Sequence, residues 1–90
     1  MKNTAAHDTQ AFVIANRFIG AFVPSTLKAF LNDVREQNTT DFTVQETEKG
    51  CLVYVGATKH HLPWLSNKEI ANDFTSFVKT TVVRRGLRSV

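Results

Sequence analysis

Ninety residues, 42% hydrophobic and 21% charged, match ordinary globular usage and suffice for one domain around one core. Surface scaling for this size buries about 64% of the extended-chain surface, which argues against disorder over most of the chain and leaves little room for a deep substrate cavity. The net charge of +3 is uneven: residues 1–48 hold four Lys/Arg against six Asp/Glu, whereas residues 49–90 hold seven against two.

Residues 1–7 read as a flexible N-terminal arm, followed by a single domain over 8–90. Asp8 or Thr9 can cap a first helix. Phe12, Ala15, Ile19 and Phe22 share one face of it, widened by Ile14 and Phe18. An apolar surface covering more than half the circumference predicts a helix that is central or shared with a partner. The stretch Ala11–Val23 is too short and, with Asn16 and Arg17, too polar to span a bilayer. No signal-peptide pattern is read either.

Pro24 is expected to stop this helix, and Ser25 to cap the next. Leu27, Phe30, Leu31 and Val34 follow at i, i+3, i+4, i+7, the clearest amphipathic spacing in the chain. Lys28, Asn32, Asp33, Arg35 and Glu36 then face water. Residues 41–48 alternate, with Phe42 and Val44 on one side, as a half-buried strand does. Glu48-Lys49-Gly50 makes a turn. Residues 51–55 form a second strand, apolar on both faces, which predicts a cover on each side: helices, or a second copy of the chain. This strand and the wide first helix motivate a homodimer.

Residues 56–65 read as irregular. Ser66 and Glu69 form a capping box for a third helix with the stripe Ile70, Phe74, Phe77, Val78, and Leu65 is placed as a hydrophobic staple on Ile70. The β-branched run 80–83 is either a continuation of that helix, the favoured reading, or a third strand. The expected fold is α+β, in the order α-α-β-β-α: an antiparallel hairpin, or a three-stranded sheet, packed by three helices.

No catalytic residue, metal site or cofactor is expected. Cys51 lies in an apolar strand, where a thiol is usually inert, and as the lone cysteine it fits a reducing, cytoplasmic setting. Cys51, His7, His60 and His61 lack zinc-site spacing, and the four glycines are too scattered for a phosphate loop. The contact candidates are His60, His61, Leu62 and Trp64, with the basic end Arg84, Arg85 and Arg88. Trp64 either faces a partner, as tryptophans at binding hot spots do, or turns inward as a plug. The basic end attracts an acidic or phosphate-bearing partner, or simply offsets a helix dipole.

A helix, strands and then a helix opening Ser66-Asn67-Lys68-Glu69-Ile70-Ala71 resembles the double-stranded RNA-binding domain family over residues 25–83. That resemblance implies lysines at the last helix gripping phosphates across a groove. Here only Lys68 stands at that place, opposed by Glu69 and Asp73, and the family's third strand has no clear counterpart in the sequence. The segment Gly56–His61 is loosely similar to small ribonuclease toxins that carry a histidine in a strand after a glycine. The chain is assigned to neither family. The leading expectation is a non-enzymatic binding or regulatory protein of the inhibitor or adaptor type, such as phages and plasmids encode, docking on another protein. The alternative is an RNA- or DNA-binding domain using Lys59, Lys68, Lys79, Arg84, Arg85 and Arg88. A histidine-dependent ribonuclease ranks third.

Overall fold

The structure is a computed structural model that describes residues 2–20 and 22–84, with side chains from 9 to 82 apart from Ala21. Its elements are helix α1 (Lys2–Phe18), helix α2 (Ser25–Gln37), strands β1 (Phe42–Thr47), β2 (Gly50–Val55) and β3 (Thr58–Leu62), helix α3 (Lys68–Val78), and a π-helical turn over Lys79–Arg84. The fold is α+β with a three-stranded antiparallel sheet in the order β1-β2-β3.

Helix α1 starts at Lys2, so residues 2–7, expected as an arm, are helical. That segment holds no proline or glycine, and Ala5 and Ala6 favour helix. The helix also ends earlier than Pro24. Gly20 takes φ +123° and donates its amide to the Ala15 carbonyl at 2.8 Å, closing the last turn. The buried side of α1 is Ala11, Ile14 and Ala15, with Phe18 half-buried, whereas Phe12 faces solvent.

Helix α2 follows its periodicity: Leu27, Phe30, Leu31 and Val34 are all fully buried. Its cap is Pro24 in extended conformation, and Ser25 is the first helical residue. Proline can hold that place because the first helical turn asks for no amide bond there. Asn38 closes the helix in the left-handed region at φ +50°, its amide donating to the Val34 carbonyl at 2.7 Å.

Two tight hairpins build the sheet. In the first, Phe42 pairs with Val55 and Thr47 with Gly50; in the second, Cys51 pairs with Leu62 and Val55 with Thr58. Strand β3 forms within the segment 56–65 that was expected to be irregular, so the third strand lies there and not in 80–84, where the chain stays helical; residue 85 lies outside the described residues. The inner face carries Cys51, Val53, Val55, His60 and Leu62, with Phe42 and Val44 half-buried. Helices α2 and α3 cover it: α2 packs on β2 and β3, and α3 on β1 and β2. Helix α1 lies across α2 and α3. Among the described residues nothing packs on the sheet's outer face, so the expected second cover is not there. Leu52 and Tyr54 are only half-exposed because Gln45, Thr43, His61 and Lys59 flank them from both neighbouring strands.

The core is aromatic at its centre. Phe30 meets Phe42, His60 and Phe74 at ring-centroid distances of 5.9, 5.3 and 5.4 Å. Phe74 also receives the edges of Phe18 and Trp64. Phe30 and Phe74 are fully buried, each contributing about 1.5–3 kcal/mol. Helix α3 is capped by Asn67, whose Oδ1 accepts from the Ile70 amide at 2.9 Å, one residue beyond the expected Ser66. The buried face of α3 is Ala71, Phe74, Thr75 and Val78, with Ile70 and Phe77 half-buried.

Candidate partner-binding surface

The segment Leu62–Leu65 is a turn that folds two leucines inward. The Leu65 amide donates to the Leu62 carbonyl at 3.1 Å, and Pro63 holds the second turn position, which its fixed φ suits. Leu62 and Leu65 are both fully buried. Leu62 therefore belongs to the core and offers no contact to a partner, a correction to its place among the surface candidates. Its alternation with His61 along β3 points it inward. Trp64 is half-buried: its ring edge meets Phe74 at 5.4 Å, and Nε1–H donates to Thr26 Oγ1 at 2.8 Å. Both the apolar body and the polar handle of the indole are engaged within the chain.

The two histidines part across the sheet. His60 lies on the inner side, 15% exposed, with its ring edge on Phe30 and Nε2 donating to Asp33 Oδ2 at 2.8 Å. Gln37 Nε2 completes a clasp by donating to Asp33 Oδ1 at 2.9 Å and Thr58 Oγ1 at 3.2 Å. The His60 hydrogen bond holds the Asp33 carboxyl below its ordinary value; partial burial opposes this and the Gln37 bond assists it. Asp33 escaped the sequence reading because its helix phase points toward water; only the adjacency of β3 supplies its partner. His61 is exposed on the outer face, where Nε2 donates to the Lys49 carbonyl at 3.1 Å. Cys51 is fully buried opposite Leu62, and burial pushes its thiol up, with Glu46 adding to the effect.

The described basic candidates do not converge. Lys59 stands on the outer face of β3, at one sheet edge. Lys79 follows α3 on the other side, its Nζ 6.0 Å from the Phe42 ring of β1, the opposite edge. Lys68 is the exposed first residue of α3. The Arg84 side chain, Arg85 and Arg88 lie outside the described residues. Strand β3 supplies the third strand that the double-stranded RNA-binding layout requires, so residues 25–78 run helix, three strands, helix. The charge does not follow that likeness. Glu69 shares the first turn of α3 with Lys68, and Asp73 lies 3.9 Å from Arg17.

No family model, curated protein or solved structure matches this chain.

A different surface, outside the contact residues named from the sequence, carries the exposed apolar groups. Among the described residues the large hydrophobic side chains standing free are Phe12 (58% exposed), Val13 (44%) and Phe22 (63%). Phe12 and Val23 line a hollow of about 410 Å³ together with Thr9, Ala11 and Lys28. Val23 adjoins Phe22 in the chain, so the hollow joins α1 to the α1–α2 connection. Its walls are mostly apolar, with the Thr9 side chain and the Lys28 ammonium as its polar groups. Arg17, one turn beyond Val13, turns instead toward α3, where it lies 3.9 Å from Asp73 and its guanidinium stands over the Phe18 and Phe77 rings. The signal available in sequence was the excess width of the α1 apolar face, which exceeded what one core could take.

Proposed function

We infer that this chain is a non-enzymatic binding protein of the inhibitor or adaptor type, and that it docks on a protein partner through α1 and the α1–α2 connection. The observation that carries this reading is the exposure of Phe12, Val13 and Phe22, with Phe12 lining a mostly apolar hollow. Monomeric soluble proteins rarely leave contiguous apolar patches without a use, and burying one such phenylalanine contributes about 1.5–3 kcal/mol. Lys28 gives the hollow a positive character. The partner that complements it is an amphipathic helix with an apolar stripe bordered by Asp or Glu, the helix-in-groove mode of recognition. The Trp64 turn and the His60 clasp serve as support, since their polar atoms are engaged within the chain.

The test is quantitative affinity capture from cells of the source, wild type against Phe12→Asp/Phe22→Asp, with identification by mass spectrometry. The reading expects one acidic-helix protein retained by wild type and by Lys59→Ala, and reduced at least tenfold by the double variant. Equal recovery by wild type and the double variant removes it.

A further inference from the structure

We propose that the outer face of the sheet is a platform for single-stranded nucleic acid, separate from the apolar surface on α1. Helices α2 and α3 occupy the inner face, and α1 lies beyond them, so the two surfaces are on opposite sides of the molecule. The strand register arranges the outer face in two rows. Tyr54 stands between Thr43 and Lys59, and Leu52 between Gln45 and His61. The rows thus place a π-face beside a cation and beside neutral donors and acceptors, the components of base-stacking sites on open sheets. The His61 ring is fixed by its bond to the Lys49 carbonyl. It borders a hollow of about 340 Å³ shared with Leu52, Thr47, Glu48 and Lys49.

Charge and spacing select the occupant. The outward positions of the three strands include Lys59 and no carboxylate; Lys49 adds a second cation at the hairpin turn, where Glu48 is the one acid lining the hollow. A polyanion complements that balance better than an acidic-flanked helix, since the face has no exposed phenylalanine to anchor one. Tyr54 and His61 sit diagonally across β2 and β3, roughly 7–8 Å apart. Stacked bases in a duplex rise only about 3.4 Å, so both rings are reached together by an unstacked, extended strand. Thr43 and Gln45 lie where they can hydrogen-bond base edges.

Fluorescence anisotropy of a fluorescein-labelled uridine dodecamer tests this with the full chain. Binding is expected at about 20 mM salt and is expected to weaken at least tenfold by about 200 mM. Tyr54→Ala should weaken it about tenfold and Tyr54→Phe should retain it, because the ring carries the stacking. Lys59→Glu, at an exposed position that leaves the fold intact, should weaken it to a similar degree, whereas Phe12→Asp/Phe22→Asp should not. The proposal is overturned if no anisotropy change occurs at roughly 100 μM protein in low salt, or if Lys59→Glu binds as wild type. It is equally overturned if the same sequence in duplex form binds as tightly as the single strand. A fourth contrary result is Lys59→Glu converting a dimer to a monomer without any oligonucleotide binding, which would assign the face to a second copy. None of these outcomes depends on whether α1 captures a protein.

Discussion

At the scale of single residues, the indole of Trp64 shows how a surface candidate becomes a structural one. Its ring rests on Phe74 and its N–H on Thr26. Trp64→Phe keeps a ring there and loses the hydrogen bond, so it should cost about 1 kcal/mol. Trp64→Ala removes both and should cost about 2–4 kcal/mol. Urea unfolding followed by circular dichroism checks the order, and a Trp64→Ala protein as stable as wild type would place the indole outside the packing. Asp33 carries a pH signature. Its carboxyl is held below the ordinary 3.8 by His60, so it stabilises the fold above that value, and the contribution is lost as pH falls through the lowered folded value. The urea midpoint should therefore drop more steeply below about pH 4 in wild type than in Asp33→Asn, which starts lower at pH 7 and lacks this component. Parallel pH profiles for the two proteins would contradict the clasp. Cys51, with no exposed surface and a raised thiol, should stay unreactive toward a thiol reagent until denaturant unfolds the chain.

At the scale of elements, Gly50 joins the first hairpin to the Leu62–Leu65 turn. Its φ is +104°, and a Cβ there would lie 2.5 Å from Pro63 Cα and 2.7 Å from its carbonyl oxygen. Backbone cannot retreat as a side-chain tip can, so Gly50→Ala should cost about 3 kcal/mol or more, combining strain with overpacking. Gly20 has a comparable φ of +123° with nothing within 4 Å of the added carbon. Gly20→Ala should therefore cost only the strain, about 1–2 kcal/mol. Thermal melts of the two variants compare these directly, and equal losses would show that the approach of Pro63 contributes nothing. Elements were legible in proportion to their contrast. Helix α2 has one clean apolar stripe whose buried residues were readable, apart from its cap and from Asp33 and Arg35, which were expected to face water but bond His60 and Gln10. Strand β1 alternates, and β2 is apolar throughout. Strand β3 was not legible because its inner positions are Thr58, His60 and Leu62, where a histidine does the packing work of an apolar residue by meeting Phe30 and Asp33. The cap of α3 moved by one residue because Ser66 and Asn67 are both competent caps, and geometry chose the second. The phase of α1 was ambiguous for the reason that makes it interesting: its apolar residues exceed one face.

At the scale of the whole molecule, the layers run from an open sheet face, through α2 and α3, to α1 with its exposed phenylalanines. The aromatic interior is closed by Phe30, Phe74, Phe18 and Trp64, so the groups left on the surface are not defects of packing. The candidate site was only partly legible. The sequence named His61 and Lys59, which the outer face presents, and it named Leu62, which the core takes. It placed Phe12 and Phe22 on one wide apolar face of a single helix, central or shared with a partner, because periodicity alone cannot show that the helix ends at Phe18 and turns at Gly20. The central claim is that the α1 surface meets a partner protein. Photo-cross-linking from position 12, with Phe12→p-benzoylphenylalanine in living cells of the source, tests it most directly. One discrete adduct with a different protein is expected, suppressed by Phe22→Asp and absent when the same group stands at the exposed Glu36. An adduct at twice the chain's own mass, equal labelling from both positions, or no adduct at all would contradict it.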